Sequence, residues 1–205
     1  QLDTLSVHAG VKTDPLTGAV MTPIYATSTY AHDRPGEHKG YEYSRSQNPT
    51  REVLENSIAE LESGYKAFAF ASGVAAQTAV LDLLKPGDHV IAFDDLYGGT
   101  FRLFNEIKSK SSNIEFTFVD LNTNFSKEIK KNTKMIWIET PTNPLLKITD
   151  LKRIARIARK NKLITVCDNT FATPYNQRPL EHGIDIVNHS TTKYINVHSD
   201  VIGGA

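Results

Sequence analysis

The chain has 205 residues, enough for one large domain with its own hydrophobic core. Lysine plus arginine and aspartate plus glutamate balance at 23 each, so there is no basic surplus that would indicate a nucleic-acid partner. No apolar run approaches the roughly 20 residues of a transmembrane helix, and residues 1–10 lack the apolar core of a signal peptide. A single cysteine excludes an internal disulfide, and no cysteine–histidine cluster has zinc-site spacing, so we expect a cytoplasmic protein without a membrane partner or a metal.

Residues 1–48 are predicted to form an extended arm. They show little periodicity and carry repeated turn signals, at Asp14-Pro15, Thr17-Gly18, Thr22-Pro23 and Pro35-Gly36. Because so long an arm has no core of its own, we expect it to contact a neighbouring subunit. Asn48-Pro49 then has the pattern of a helix N-cap followed by proline at the first helical position, which marks the start of a second domain, residues 49–205.

Residues 49–205 are predicted to alternate between helices and strands. The first helix begins at Pro49 and stops at Gly64, and its apolar face consists of Leu54, Ile58 and Leu61. Further helices are predicted over residues 73–84, 96–108 and 125–131 and around an apolar face formed by Leu151, Ile154, Ala155 and Ala158. Strands are predicted over residues 66–71, 89–93, 114–119, 135–139, 163–167 and 184–187. This alternation predicts an α/β fold in which helices sandwich a mostly parallel sheet.

Polar and reactive side chains recur directly after the predicted strands. They are Ser72-Gly73, Asp94-Asp95-Leu96-Tyr97, residues 139–144, Asp168-Asn169-Thr170 and residues 190–193. Because the ligands of such sheets bind beyond the carboxyl ends of the strands, these segments are expected to converge on one site.

Residues 71–76 join a strand to a helix through small side chains. Free backbone N–H groups and the positive end of the helix dipole make this junction a candidate phosphate site, and the alternative is a tight turn chosen for close packing. Neither GxxxxGK[ST] nor GxGxxG is present, so a P-loop or dinucleotide fingerprint is not supported. A Ser-His-Asp hydrolase is disfavoured because the GxSxG elbow is also missing.

Three residues that follow strands could act on a cofactor. Asp168 either caps a turn or pairs with a cationic ring nitrogen, which it would keep protonated. Lys193 is either a solvated lysine or a nucleophile that attaches covalently to a cofactor. Tyr97 either stacks on a flat cofactor and exchanges a proton or lies at an interface.

Two residues of the arm and two of the predicted core complete the candidates. Tyr43 and Arg45 lie in the arm, where a buried pair would need an anionic partner, and we expect them to reach into another subunit's site. Trp137 lies within a strand, and Cys167 is predicted to be a small buried hydrophobe, so both are expected in the core.

Seven segments form a pattern that spans the chain: residues 41–45 (YEYSR), 48–50 (NPT), 71–76 (ASGVAA), 95–100 (DLYGGT), 138–144 (IETPTNP), 166–171 (VCDNTF) and 190–200 (STTKYINVHSD). This pattern resembles the pyridoxal-phosphate (PLP) enzymes of cysteine and methionine metabolism, the transsulfuration family of cystathionine γ-synthase, γ-lyase and β-lyase. Gly98-Gly99 resembles the γ-synthase and γ-lyase branch. The resemblance implies a large domain of the PLP-dependent transferase type (aspartate aminotransferase type I), with the family's C-terminal small domain absent from this chain.

The resemblance also implies a role for each site residue. Lys193 would bind PLP covalently and shuttle protons, Asp168 would pair with the pyridinium nitrogen, and Tyr97 would stack on the ring and assist proton transfer. The phosphate would be bound by Gly73, Val74, Ser190 and Thr192, with Tyr43 and Arg45 contributed by the neighbouring subunit. Asn143, together with Tyr97, would bind the substrate and lie near its carboxylate and the cofactor's 3-oxygen.

Two features at the end of the chain stand out against the family pattern. The family usually has glycine before His-Ser-Asp, where this chain has Val197, and a positive φ there would strain a β-branched residue. The sequence stops at Ala205, just after the reactive cluster, so we expect a large domain cut from a longer polypeptide.

The function implied by the resemblance is PLP-dependent cleavage or formation of the cystathionine C–S bond. It would proceed by γ-elimination giving cysteine, or by γ-replacement on an activated homoserine, in a homotetramer built as a dimer of dimers. The alternatives are a cystathionine β-lyase, a PLP transaminase and a binding domain that has lost catalysis.

Overall fold

A computed structural model of the chain describes residues 2–205, which divide into two compact units, one ending at Ala69 and one running from Phe70 to Ala205. The first unit contains helix α1 (Leu2–His8), an antiparallel hairpin of β1 (His32–Arg34) and β2 (Glu37–His38), and helix α2 (Pro49–Leu61). The predicted turn at Pro35-Gly36 connects the two hairpin strands. Helix α1 packs against α2, so this unit includes the helix that the sequence placed after the arm.

Helix α2 begins as the sequence predicts. The Asn48 side chain accepts hydrogen bonds from the amides of Thr50 (2.9 Å) and Arg51 (3.3 Å), and Pro49 occupies the first helical position. At the other end the residue with left-handed backbone is Ser63, with φ of 56°, and not Gly64. The Gly64 amide instead donates to the Ala59 carbonyl at 2.7 Å, which closes the last turn.

The second unit is built on a five-stranded parallel sheet. Its strands are β3 (His89–Phe93), β4 (Glu115–Val119), β5 (Thr133–Glu139), β6 (Ile164–Asp168) and β7 (Ile186–Asn188). Their order in the sheet is β4-β3-β5-β6-β7. Every residue of β3 is buried, and β5 is buried over its last five residues, so helices cover both faces of the sheet. The predicted α/β architecture with a mostly parallel sheet is confirmed.

The helices of the second unit are α3 (Gly73–Leu81), α4 (Gly98–Arg102), α5 (Ser109–Ser111), α6 (Leu151–Asn161) and α7 (Thr173–Asn176). A π-helical segment, Leu103–Lys108, joins α4 to α5, and two 3-10 helices cover Phe125–Glu128 and Pro179–His182. Helix α6 buries the four predicted apolar residues, Leu151, Ile154, Ala155 and Ala158. None of the helices within residues 2–205 combines the length and the apolar character that a membrane crossing requires.

The core of the second unit lies around β5. Trp137 and Cys167 are both fully buried, as the sequence predicts. The ring of Phe104 meets Trp137 edge-on, with ring centroids 5.1 Å apart. Aromatic contacts of this kind add to the burial of apolar surface and fix the position of β5 in the sheet.

Three sequence-based assignments differ from the structure. The predicted strand over residues 66–71 is not formed, because within the described residues Phe70 pairs only with Gly204, through hydrogen bonds of 2.8 and 3.0 Å. The helix predicted over residues 73–84 ends at Leu81, since the amides of Leu83 and Leu84 bond three residues back, in tighter turns. The helix predicted from residue 96 begins at Gly98 and contains an unforeseen π-helical segment.

The strand order creates a switch point between β3 and β5. The chain leaves β3 for β4 on one side, then returns to place β5 on the other side and continues outward to β6 and β7. In open parallel sheets ligands bind beyond the carboxyl ends of the strands at such a point. The topology therefore directs attention to the residues that follow β3, β5, β6 and β7.

Candidate active site

A cleft of about 460 Å³ lies at the carboxyl ends of these strands, within the second unit. Eight of the ten predicted site residues line it: Gly73, Val74, Tyr97, Asn143, Asp168, Ser190, Thr192 and Lys193. Residues as far apart in sequence as Gly73 and Lys193 meet there because each follows a strand or begins a helix at the same edge of the sheet. The predicted convergence is thus present in the folded chain.

Lys193 lies in the turn that follows β7. Its amide donates to the Ser190 carbonyl at 3.2 Å, and its own carbonyl accepts from the Val197 amide at 2.8 Å. The side chain is exposed, and within residues 2–205 its ammonium group makes no hydrogen bond or ion pair. The amine is therefore positioned by its backbone and left available at the edge of the cleft.

Asp168 is the last residue of β6 and is buried. Its Oδ1 accepts from the Thr170 amide (3.0 Å) and hydroxyl (2.5 Å), and its Oδ2 accepts from the side-chain amides of Gln77 (3.3 Å) and Asn188 (3.4 Å). The turn cap considered from the sequence is therefore present, and the carboxylate also borders the cleft, while its pairing with a ring nitrogen stays a prediction. Four donors fix its orientation.

The junction before α3 has the features of an anion site. Ser72 caps the helix by accepting from the Ala75 amide at 3.1 Å, so the amides of Gly73 and Val74 are in the first turn, where the helix itself offers no acceptor. A Cβ on Gly73 would come within 2.8 Å of the Ser190 Cβ. Only glycine permits this approach, which brings the helix start against the segment after β7.

Ser190 and Thr192 lie opposite this helix start. The Ser190 amide donates to the Thr170 hydroxyl at 2.8 Å, and the Ser190 hydroxyl has no hydrogen bond among the described residues. The Thr192 hydroxyl donates to the Gly203 carbonyl (3.2 Å) and accepts from the Gly203 amide (3.0 Å). Ser190 is therefore free to bind an anion, whereas Thr192 must first release the Gly203 carbonyl.

Tyr97 and Asn143 lie on the loops after β3 and β5, and both are held by Glu139. Glu139 is the last residue of β5 and is 5% exposed. Its Oε2 accepts from the Tyr97 amide at 3.1 Å, and its Oε1 accepts from the Asn143 amide at 2.9 Å. The Tyr97 ring remains half exposed at the cleft.

The electrostatics of this edge are dominated by buried acids. Burial, and then the negative charge of Asp168, raise the pKa of Glu139 to about 8, against the lowering effect of the two amides that it accepts. A perturbed acid in a cleft of this kind is a mark of a functional site. No group of three or more histidine, cysteine, aspartate or glutamate residues among residues 2–205 is arranged to hold a metal ion.

Tyr43 and Arg45 belong to the first unit, and both side chains are exposed there. The Arg45 guanidinium lies over the Tyr43 ring, 4.9 Å from its centroid. The pair is not buried within its own chain, and its contribution to a neighbouring subunit's site remains a prediction.

Several further residues line the cleft, and four of them, Ser72, Glu139, Pro141 and Thr170, lie in segments that were predicted to converge but were given no role of their own. The further residues are Ser72, Gln77, Glu139, Pro141, Thr170, Phe171 and Ile202. Glu139 carried a usable signal, because it is a carboxylate at the end of an apolar strand. Gln77 carried none, since it lies inside a helix of small residues and its contact with Asp168 joins positions 91 residues apart.

Val197 has a backbone φ of 68°, in the left-handed region that favours glycine. The positive φ considered from the sequence is thus present, and a β-branched residue occupies it. The side chain is exposed, so no packing compensates for the strain.

The amino-acid sequence of the chain is similar to those of known proteins. The family described as "Cys/Met metabolism PLP-dependent enzyme" matches residues 3–205. A cystathionine beta-lyase from Coxiella burnetii is 58% identical over 205 residues, which cover 99% of this chain and 53% of that protein. A probable cystathionine gamma-synthase from Herpetosiphon aurantiacus is 52% identical over 204 residues, which cover 98% of this chain and 64% of that protein.

Solved structures agree. The cystathionine gamma-lyase from Lactobacillus plantarum, complexed with L-serine, aligns with a TM-score of 0.96 at 48% identity and covers 100% of this chain and 54% of that chain. The chain spans about half the length of most of the curated relatives it matches. With the family match over nearly every residue, these likenesses lead to one conclusion: the chain belongs to the Cys/Met metabolism PLP-dependent enzyme family.

Proposed function

We propose that this protein is a PLP-dependent enzyme that cleaves or forms the C–S bond of cystathionine. The reaction is γ-elimination that releases cysteine, or γ-replacement on an activated homoserine. The observation that carries this proposal is the convergence of Lys193, an amine without a partner among the described residues, and Asp168, a buried carboxylate, on one cleft.

The residues of the cleft suit PLP. The amides of Gly73 and Val74 and the Ser190 hydroxyl offer donors for its phosphate, at a helix start that only glycine allows to approach so closely. The Asp168 carboxylate suits a protonated ring nitrogen, and Lys193 suits covalent attachment. When bound, PLP supplies an electron sink for the negative charge that develops at the substrate's α-carbon.

The residues of the chain then have separate tasks. Lys193 Nζ removes the proton from the substrate's α-carbon as a general base, and a second proton, from the β-carbon, must leave before a γ-substituent can depart. The Tyr97 hydroxyl assists these transfers at the open side of the cleft. The Asn143 side-chain amide donates to the substrate carboxylate. Loss of the leaving sulfur directly from the β-carbon would instead make the enzyme a β-lyase.

A cystathionine β-lyase is the second candidate. It is favoured by the 58% identity to the Coxiella burnetii protein of that name. The relatives named for γ-synthase and γ-lyase share nearly as much sequence, and all three reactions begin at the same α-proton.

Product analysis of the full-length protein with L-cystathionine and PLP tests the proposal. Cysteine with 2-oxobutanoate indicates a γ-lyase, and homocysteine with pyruvate indicates a β-lyase. Cystathionine made from cysteine and an activated homoserine ester indicates a γ-synthase. Conversion to a keto acid without C–S cleavage would mark a transaminase, and a protein that does not bind PLP would overturn the proposal.

We further propose that the protein is a homotetramer, a dimer of dimers, in which Tyr43 and Arg45 bind the phosphate in a neighbouring subunit. The exposed pair and the exposed apolar residues of the first unit, such as Leu16 and Ile24, support this assembly. Mixing full-length Lys193→Ala with full-length Arg45→Ala should restore activity, because a hybrid site combines an intact Lys193 with an intact Arg45. Mixtures no more active than the separate variants would contradict the shared site.

A further inference from the structure

We infer that Glu139 is a positioning residue: its buried carboxyl group joins the loop after β3 to the loop after β5 and so fixes Tyr97 and Asn143 relative to each other at the cleft. This inference rests on the proposed function, which assigns Tyr97 to the cofactor ring and Asn143 to the substrate. It adds a residue that touches the backbone of both and that the proposed chemistry does not use.

The contacts of Glu139 carry the inference. Its two oxygens are divided between two loops, Oε2 accepting from the Tyr97 amide at 3.1 Å and Oε1 from the Asn143 amide at 2.9 Å. Both acceptor oxygens belong to one side chain, whereas the two donor amides, of residues 97 and 143, are 46 positions apart in sequence. Movement of either loop would therefore break one of these bonds.

Both amides depend on Glu139. Tyr97 precedes the first helical residue of α4, and Asn143 lies in a turn, so neither amide has a partner in regular secondary structure. Among the described residues Glu139 is the acceptor given for each of them. A buried backbone N–H without an acceptor is unfavourable. Moving either loop away from Glu139 would leave its amide without an acceptor, and this free-energy penalty holds both loops in place.

The carboxyl group of Glu139 cannot be replaced by an amide of the same shape. Two backbone donors require two acceptor oxygens on the side chain, and a glutamine offers one oxygen and one NH₂ donor. Glu139→Gln therefore sets the NH₂ group against one of the amides and repels that loop. Glu139→Asp keeps both carboxyl oxygens, each of which can accept a hydrogen bond, but shortens the side chain by one methylene group.

Asp95 provides a matched control. It is also buried, and its Oδ2 accepts from the Thr142 hydroxyl and from the Leu145 amide at 3.1 Å, in the same loop that contains Asn143. It makes no hydrogen bond with the amides of Tyr97 or Asn143. Asp95→Asn thus loosens the loop after β5 without releasing Tyr97.

The first measurement is hydrogen–deuterium exchange on the full-length protein without PLP, resolved at residues 97 and 143. In the wild type both amides should exchange slowly. Glu139→Gln should speed exchange at one or both by at least about tenfold, while Asp95→Asn should leave Tyr97 unchanged. Unchanged exchange at both amides in Glu139→Gln overturns the inference, whatever the fate of the proposed function.

The second measurement is PLP affinity and the visible circular dichroism of the bound cofactor, which reports its asymmetric surroundings. Glu139→Gln and Glu139→Asp should each weaken PLP binding about tenfold and reduce the dichroic band, with unchanged far-ultraviolet dichroism, and Asp95→Asn should stay within about twofold. A loss in Glu139→Gln alone would show that the carboxyl group matters and not its position, and an equal loss in Asp95→Asn would assign the effect to the loop as a whole. Either result overturns the inference. A wild-type protein that does not bind PLP overturns only the proposed function, because the hydrogen-exchange experiment without PLP still tests the role of Glu139.

Discussion

The two ends of the parallel sheet differ in how their polar groups are satisfied. At the amino end, His89 begins β3, and its Nδ1 and Nε2 lie 2.7 and 2.8 Å from the hydroxyls of Thr133 and Thr117. At the carboxyl end, two buried acids lie close together, and the charge of Asp168 helps burial to raise the pKa of Glu139. The sheet thus has a side chain with all its hydrogen bonds made at one end, and two mutually repelling carboxyl groups at the other.

Two left-handed backbone positions illustrate a further difference, although Asn113 and Lys162, before β4 and β6, also have positive φ without being glycine. The turn before β3 places glycine at its left-handed position, Gly87 with φ of 88°, and ties it down through Asn113 and Asn132. Near the carboxyl end the left-handed position is taken by Val197, an exposed β-branched residue. His89 and Gly87 thus have all their polar or conformational requirements met, whereas Glu139, Asp168 and Val197 keep unfavourable charge or backbone near the proposed chemistry.

The largest expected effect is a loss of activity without a loss of stability, on substitution of a residue at the carboxyl end of the sheet. Lys193→Ala should lower C–S bond activity of the full-length protein at least about 10³-fold, because it removes both the covalent attachment point and the general base. Its free energy of unfolding should change by less than about 0.5 kcal/mol, since the side chain is exposed. Steady-state kinetics and urea denaturation measure the two quantities.

Lys85→Ala is the control for that experiment, because Lys85 is an exposed lysine in the turn before β3, at the amino end of the sheet. It should leave both activity and stability unchanged. Turnover of Lys193→Ala equal to that of the wild type would show that the assignment of the lysine is wrong.

At His89 the opposite result is expected: substitution should lower stability and leave activity unchanged. His89→Ala should lower the free energy of unfolding by about 2–4 kcal/mol, because it removes two hydrogen bonds and leaves a buried cavity. The activity of the folded fraction should be unchanged. Urea denaturation measures the loss, and His8→Ala, at an exposed histidine of α1, is the control. A His89 variant as stable as the control would contradict the role given to the amino end.

The pH dependence of stability should differ in sign between the ends. Burial lowers the pKa of His89 below 6.5, so its contribution is complete above pH 6.5 and is lost as pH falls through the folded-state pKa. The pKa of Glu139 is raised from 4.5 to about 8, so its contribution is complete below pH 4.5 and is lost as pH rises through about 8.

Urea midpoints of the PLP-free protein at pH 5.5, 6.5 and 8 test these signs. Between pH 5.5 and 6.5 the two contributions oppose each other, so His89→Ala should shift the slope there towards greater stability at low pH. Glu139→Gln should flatten the decline between pH 6.5 and 8. If His89→Ala keeps the wild-type dependence of stability on pH below pH 6.5, or Glu139→Gln keeps it between pH 6.5 and 8, the substituted group does not titrate as described.

The smallest expected effect concerns the backbone. Val197→Gly should raise the free energy of unfolding by about 1 kcal/mol, because glycine adopts positive φ without a Cβ clash and little burial is lost. Gly87→Ala should lower it by at least about 1 kcal/mol, since alanine would be strained at φ of 88°. Denaturation curves for the two variants are the measurement, and a destabilised Val197→Gly would show that the left-handed backbone at this position is not strained.

Much of this contrast was accessible from sequence. The run of apolar residues predicts β3 over residues 89–93, as observed, and Asn48-Pro49 predicts the start of α2. The placement of Tyr97, Asp168 and Lys193 after strands predicts their convergence, since parallel strands share one carboxyl edge. Residues 66–71 were assigned wrongly, because a strand depends on a partner, and only Phe70 finds one among the described residues.

The sequence by itself determined the alternation of elements, the family pattern and the identity of the reactive groups, because propensity, capping and periodicity act within a few residues. Only the tertiary structure decided the strand order, which brings β5 beside β3, and the contacts made across it. Glu139 meets Tyr97 across 42 positions, and Gln77 meets Asp168 across 91. Such contacts leave no signal in the local sequence, because the residues next to each partner in the chain are the same whether or not the contact forms. They appear only once the strands have assembled into the sheet.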